Sequence, residues 1–232
     1  MKTRSMTLLA LVLSLGVSGV ASAHEAGEWI VRAGVGNVDP KSDNLELGTF
    51  TVPVGLTIAN TAVQVDSGAS LTITGTYMFT DNWALDILAA LPFSHDIAVS
   101  SSDLAGDLPL GETKHLPPTV SVQYHFTPEA AFQPYVGLGV NYTTFFDEEV
   151  TSDAVGVGVT DISLDDSFGL ALQVGADFEI NEQWLVNVDL RYIDIETDAT
   201  LTTDDGTTVG SLDAGTVEID PLVYSISIGY RF

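Results

Sequence analysis

Cysteine is absent from the 232 residues, which excludes a disulfide framework and a thiolate metal site. Cations are scarce: seven Lys and Arg stand against 32 Asp and Glu, for a net charge of −25. The basic footprint that nucleic acid requires is missing, so no nucleic-acid partner is expected. Beyond the N-terminal segment no run approaches the roughly 18 apolar residues of a membrane-spanning helix. Such acidity can accompany disorder, but a hydrophobic content of 45% is too high for a disordered chain.

The N-terminal segment has a definite pattern. Lys2 and Arg4 precede an apolar run over residues 6–20, followed by Ala21-Ser22-Ala23. This predicts a Sec-type signal peptide over residues 1–23, cleaved at an A-x-A site, with residues 24–232 forming one domain. The mature chain would keep five cations against 32 carboxylates.

Alternation with a period of two dominates the remainder. Leu222, Tyr224, Ile226, Ile228, Tyr230 and Phe232 share one parity; Val223, Ser225, Ser227, Gly229 and Arg231 share the other. One face is apolar and the other small or polar, the mark of a β-strand. Similar alternation occurs around residues 29–36, 70–79, 83–90, 119–126, 135–142, 167–178 and 184–192. Connections at 80–82, 127–132 and 181–183 are short, whereas those at 39–68, 98–113, 147–164 and 198–216 are long. Eight strands with alternating connection lengths predict an all-β, eight-stranded antiparallel up-and-down transmembrane β-barrel. Both termini would be periplasmic and the long loops extracellular. A soluble lipocalin-like barrel would turn its apolar faces inward. Aromatics at strand ends on the apolar parity (Trp29, Tyr77, Trp83, Phe126, Phe178, Trp184, Tyr230, Phe232) fit an interfacial girdle instead.

The polar parity gives the lumen. Arg32, Asp86, Asp177, Glu179, Asp189, Arg191 and Arg231 all fall on it, near short turns or termini. A mid-depth charge on the lipid face costs about 2–4 kcal/mol, so these residues are expected to form a charge network in the periplasmic half, holding the barrel shut. Toward the long loops the same face carries Leu88, Ala90, Pro92, Pro117, Tyr135, Phe145, Ile193, Ile195 and Val223. An apolar cup of this kind suits small apolar molecules; plain filling of a narrow barrel is the alternative. If Trp83 faces Phe126, then Pro92 faces Pro117 and the wall loses ladder bonds at one height. That predicts either a side opening toward the outer leaflet or a bulged hairpin.

The same pairing sets His95 opposite Lys114 and beside His115. No acid or Cys spacing completes a metal site there, and no metal or other cofactor is expected. Ser94-His95-Asp96 cannot act as a triad, because consecutive strand residues point to opposite faces. The acid concentrates in four spans, 39–68, 96–113, 147–166 and 194–220, which hold 23 of the 32 carboxylates. Such a ring repels itself unless it is screened by salt or bridged by divalent cations, including to the phosphates of lipopolysaccharide. A specific Ca²⁺ site at Asp147-Glu148-Glu149 lacks the EF-hand ligand order.

Several stretches carry a family resemblance: H-E-A-G-E at 24–28 with V-R-A-G at 31–34, T-Y-M-F-T-D-N at 76–82, L-A-A-L-P-F-S-H at 88–95 and H-L-P-P-T at 115–119. They continue with P-Y-V-G-L-G-V-N-Y-T-T-F-F-D at 134–147, W-L-V-N-V at 184–188, D-P at 220–221 and G-Y-R-F at 229–232. The chain resembles the outer membrane protein W family of Gram-negative bacteria. The resemblance implies an eight-stranded outer-membrane barrel with a hydrophobic lumen, passive uptake of small hydrophobic molecules, and lateral release into the membrane. Phe168 stands where relatives carry a Trp near the lumen mouth. Parity puts it outward, but a bulge at Gly169 would turn it in, and with that bulge Phe168 joins the expected lumen-binding residues. The chain departs from the family in its loop acidity and at Glu218, where relatives commonly have Arg. A structural or adhesive surface protein, with loops binding envelope components or cations, is the competing function. An enzyme acting on lipids would have only His95 and His115 at the rim to draw on, so no catalytic residues are expected.

Overall fold

The computed structural model describes residues 24–41, 46–51, 57–101 and 106–232; the expected signal peptide lies outside them. In chain order the first strands are β1 (Trp29–Asp39), β2 (Glu46–Thr51), β3 (Thr57–Val65), β4 (Gly68–Met78) and β5 (Trp83–Ala90). Then come β6 (Phe93–Ser100), β7 (Leu108–Leu116), β8 (Thr119–His125), β9 (Phe132–Val150) and a short helix α1 (Ser152–Gly156). The chain ends with β10 (Val159–Leu164), β11 (Ser167–Glu179), β12 (Trp184–Ile193), β13 (Glu196–Asp204), β14 (Val209–Glu218) and β15 (Leu222–Arg231).

Eight of these strands close on themselves. β1 pairs with β4, and the ring continues through β5, β8, β9, β11, β12 and β15 back to β1, antiparallel throughout. Closure satisfies the backbone within the sheet, which lipid demands because no water is present to do so. The outer face of the ring is apolar, with Leu71, Ile73, Leu138, Leu172, Val174, Ile226 and Ile228 all exposed. No helix among the described residues is long and apolar enough to cross a membrane.

Aromatic pairs mark the periplasmic rim. Trp29–Tyr77, Trp83–Tyr124, Phe132–Phe178 and Trp184–Tyr230 have ring centroids 4.9–5.0 Å apart. Tyr142, Phe168, Tyr192 and Tyr224 mark the opposite rim on the outer face. Phe168 and Phe178 are ten positions apart on β11, which spans about 25 Å at about 3.3 Å per residue and about 40° tilt. Just beyond the outer aromatics the outward parity changes from apolar to acidic. On β12 and β13 Leu190 and Tyr192 give way to Asp194, Glu196 and Asp198; before β15 Glu218 and Asp220 precede Leu222 and Tyr224. Tyr142 donates to Asp166 and Tyr224 to Asp39, tying the girdle to this carboxylate ring.

The four long connections contain more strand than the sequence predicted. Residues 39–68 include β2 and β3, 98–113 include most of β7, 147–164 include the end of β9, α1 and β10, and 198–216 include most of β13 and β14. β13 pairs with β10 and β14, and β6 with β3 and β7, so the wall continues outward as extended hairpins. The buried cluster of Val63, Ile97, Val99, Leu110, Ile162, Leu201 and Val217 fills this extension. A strand that leaves lipid keeps its inward apolar parity and only exchanges its outer face, so the alternation persists.

Register is the second correction. Trp83 pairs with Tyr124, not Phe126, and the β5–β8 ladder ends at Leu88 opposite Thr119. A shift of two residues leaves every side chain on its own face, so the hydrophobic pattern alone cannot choose between the two registers. Pro92 therefore does not face Pro117. Pairing resumes only at Phe93 opposite His115, where β6 and β7 begin their own ladder. Between these two points, residues 89–92 face residues 116–118 without pairing. His95 pairs with Thr113 rather than Lys114, yet its ring stacks on His115 at 4.9 Å.

Candidate functional site

The lumen is layered. At the periplasmic end Ile30, Met78, Ala84 and Leu185 form an apolar plug. Around and above it lies a network containing all seven charged residues expected from parity. Arg32 donates to both carboxylate oxygens of Asp177 and to Thr76, with Asp86 4.0 Å away. Arg191 contacts Asp86 at 2.9 Å and Asp189 at 2.8 Å. Arg231 contacts Glu179 at 2.9 Å and Glu28 at 2.7 Å. Glu28, absent from the expected set, enters because it precedes β1 and has no strand parity to reveal it.

Tyr135 belongs to this layer and not to the apolar cup. Its hydroxyl donates to Asp189 at 2.7 Å and accepts from Asn187 at 2.9 Å. Its ring needs Gly175 opposite, where a Cβ would lie 2.4 Å from the hydroxyl oxygen. An aromatic with a polar tip fits either layer, so the sequence alone does not place it.

Above the network Val38, Phe93, Phe145, Ala171, Ile193, Ile195 and Val223 pack into a buried cluster, with Ala90 against it. Leu88 is also buried on the inner face. Of the expected cup, Phe145, Ile193, Val223 and Ala90 thus form packed filling. The open space lies above them, in the extension. That cavity has a volume of about 60 Å³. One water needs about 10–15 Å³, so the cavity is a narrow slot for a slim guest. Phe145 and Ile195 form part of its base, and its walls include Val63, Ile97, Leu110, Ile162, Ala199, Leu201 and Val217. The sequence carried a signal for one wall: Ile193, Ile195, Thr197, Ala199 and Leu201 continue a single inward parity into what reads as a loop.

Pro92 is exposed, Pro117 is buried, and neither lines this cavity. Phe168 is 72% exposed and points outward, paired with Tyr142 in an unshifted β9–β11 ladder. Gly169 serves a close approach instead of a bulge, since a Cβ there would meet the Asp194 carbonyl oxygen at 1.9 Å. Phe168 is therefore removed from the lumen set and assigned to the outer girdle.

The polar groups on the cavity wall are His95, His115, Thr113 and Thr197. The two histidines lie above the outer girdle. Burial pushes His115 down to about 3, with a smaller contribution from neighbouring His95. Burial also lowers His95, opposed by its bond to the Asp66 carbonyl. Both imidazoles are therefore neutral at pH 7, and the cavity carries no charge from them. Ser94 and Asp96 face outward while His95 faces in, so these consecutive residues do not converge on a catalytic centre. For His115 the unfolded chain binds a proton near 6.5 and the folded chain only near 3. Its contribution to stability is complete above pH 6.5 and is lost progressively as pH falls from there toward 3. His115→Phe should flatten that part of a stability-versus-pH curve measured by denaturant unfolding; an unchanged slope between pH 4 and 6 would contradict the buried neutral histidine.

The wall is thin at Ala90. Ala90 packs against the inner cluster and also lines a groove on the lipid face with Ala33, Gly34, Leu71, Ile73 and Leu91. This groove lies over β1, β4 and β5, where Ala90 still pairs with Thr72; the unpaired stretch between β5–β6 and β7–β8 is on the other edge of β5.

Known proteins share this architecture. The model for the OmpW family matches residues 25–232. Outer membrane protein W of Vibrio cholerae is 43% identical over 97% of both chains. The crystal structure of the outer membrane protein OprG from Pseudomonas aeruginosa superposes with a TM-score of 0.79 at 39% identity, covering 91% of this chain and 98% of that one. A more distant relative, 30% identical over 90% of both chains, is the dibenzothiophene metabolism operon protein PahQ of Pseudomonas aeruginosa. Shared sequence along the whole barrel and a shared fold together place this chain in the outer membrane protein W family, as a β-barrel of the Gram-negative outer membrane.

Proposed function

We propose that this barrel takes up small hydrophobic molecules passively and releases them sideways into the outer leaflet. The observation that carries this reading is the apolar cavity in the extension, set above a lumen blocked by packed side chains and charge pairs. A guest entering the cavity has no aqueous path downward. Ala90, which packs against the cluster under the cavity and also lines the groove on the lipid face, marks the way outward. The naming of PahQ after the metabolism of dibenzothiophene, a fused apolar ring system, supports the same guest class. Residues 1–23 fit this reading as a removable Sec signal, which N-terminal sequencing of the mature protein would check.

Two variants test it, with an apolar fluorescent tracer offered to intact cells. Ala199→Trp fills the cavity, and uptake should fall about tenfold or more. Ala90→Phe thickens the wall, and should slow uptake while tracer still binds the purified protein. Uptake unchanged in both variants would sink the proposal.

A second reading rests on the carboxylate ring above the outer girdle. Asp39, Asp166, Asp194 and Asp220 sit at headgroup level, where divalent cations could bridge them to lipopolysaccharide phosphates. Changing all four to Asn would weaken Mg²⁺-dependent binding of lipopolysaccharide and leave tracer uptake intact if anchoring or adhesion is the role.

A further inference from the structure

We propose that the periplasmic floor of the lumen is a binding site for one divalent transition-metal ion, with zinc as the type, held by His24, His125 and Asp177. His24 precedes β1, His125 ends β8 and Asp177 lies near the end of β11. One ligand atom from each lies within 4.8 Å of the others, and all three residues are buried, at 1%, 0% and 0% exposure. Tetrahedral ligands at about 2.0–2.2 Å from zinc lie roughly 3.4 Å apart, so the site would close by about an ångström on binding.

Two buried ring nitrogens point to a ligand. His24 Nε2 and His125 Nδ1 have no hydrogen-bond partner. The opposite nitrogen of each ring does. His24 Nδ1 lies 3.2 Å from Glu28 Oε2, closer than the Arg231 guanidinium at 3.3 Å. His125 Nε2 lies 3.2 Å from Gln123 Oε1. The state of His125 follows from a directed chain of amides. Asp189 can only accept, so it takes the Gln173 amide at 2.6 Å; Gln173 Oε1 then accepts from Gln123 Nε2 at 3.2 Å. Gln123 is left presenting its oxygen, so His125 must donate from Nε2 and keep a bare lone pair on Nδ1. A histidine whose far N–H is held by a carboxylate or carbonyl oxygen, with the near nitrogen free, is the usual state of a metal-binding imidazole.

The charge count agrees. Arg32, Arg191 and Arg231 face five carboxylates, Asp86, Asp177, Asp189, Glu28 and Glu179, so the ion pairs of the floor leave an excess of two carboxylates over guanidinium groups. A dication balances them. Asp177 already accepts from Arg32 on both oxygens and from Asn187 on Oδ1. A carboxylate has about four acceptor sites, and Oδ2, 3.9 Å from His24 Nε2, keeps capacity for an ion. Cleavage after Ala23 would add an α-amine at His24, another nitrogen donor when neutral. Two imidazoles and one carboxylate suit zinc or its neighbours in the transition series over the hard cations.

The test uses the mature barrel refolded in detergent and titrated with Co²⁺, read by its visible absorption, then challenged with Zn²⁺. We expect saturable binding of one ion per barrel, displaced by zinc. His125→Ala should weaken it about 100-fold or more, while His95→Ala with His115→Ala leaves it unchanged. Gln123→Leu, which removes the acceptor for His125, should weaken it roughly tenfold, and Gln123→Glu should retain it. This second pair decides the matter if His125→Ala fails to give the compact band of a folded barrel on an unheated gel. Absence of saturable binding in the wild type, loss on mutating His95 and His115, or equal affinity in Gln123→Leu and wild type would each overturn the proposal.

Discussion

Arg32→Met should cost about 3–5 kcal/mol of stability, the expected penalty for breaking a buried ion pair from one side. The guanidinium is wholly inside the lumen and holds both oxygens of Asp177 while lying 4.0 Å from Asp86. Its removal strands Asp177 and leaves Asp86 to Arg191 alone. Denaturant unfolding, followed by loss of the compact band on unheated gels, would measure the effect. Pairing Arg32→Met with Asp177→Leu should recover much of the loss, since an apolar pair leaves no stranded charge. A cost below about 1 kcal/mol for the single variant would mean that water reaches the floor and screens it.

Leu172→Arg should cost about 2–4 kcal/mol, whereas Phe168→Arg on the same face of the same strand should cost about 0–1 kcal/mol. Leu172 lies in the middle of the apolar band and Phe168 at its outer aromatic edge. An arginine at the edge can reach headgroup phosphates; one at mid-depth cannot. Reversible folding into vesicles of the two variants would give the ratio. Equal costs would contradict the placement of Phe168 at the edge, and with it the boundary between membrane and extension.

The eight barrel strands were legible because lipid on one side and a polar lumen on the other impose the strongest period-two contrast available to a strand. The lumen charges were legible for the same reason: Arg191 and Asp189 could be placed by parity alone. The extension was missed because its outer face is acidic, so Glu196 and Asp198 read as loop although Thr197 and Ala199 between them continued the inward parity. Register was out of reach, since Trp83 keeps its face whether it meets Tyr124 or Phe126. Tyr135 and Phe168 failed for opposite reasons. Tyr135 is apolar by composition but held by its hydroxyl; Phe168 was moved inward by a presumed bulge that the even β9–β11 ladder does not contain. The meeting of His24, His125 and Asp177 carries no local signal, because it exists only once the ring has closed.

The seam between β1 and β15 has a consequence for the order of events in folding. Tyr224 reaches Asp39 across 185 positions of sequence, and the Phe232 N–H donates to the Trp29 carbonyl at 2.9 Å. The first strand cannot find its second neighbour until the last residues of the chain exist. Contacts so distant in sequence form slowly, because the loop must be closed before anything rewards it. Until then β1 has an unpaired edge that lipid will not tolerate. The barrel therefore cannot insert strand by strand as it is synthesised. Its closure waits for the last strand, and the two ends of the chain make the seam together.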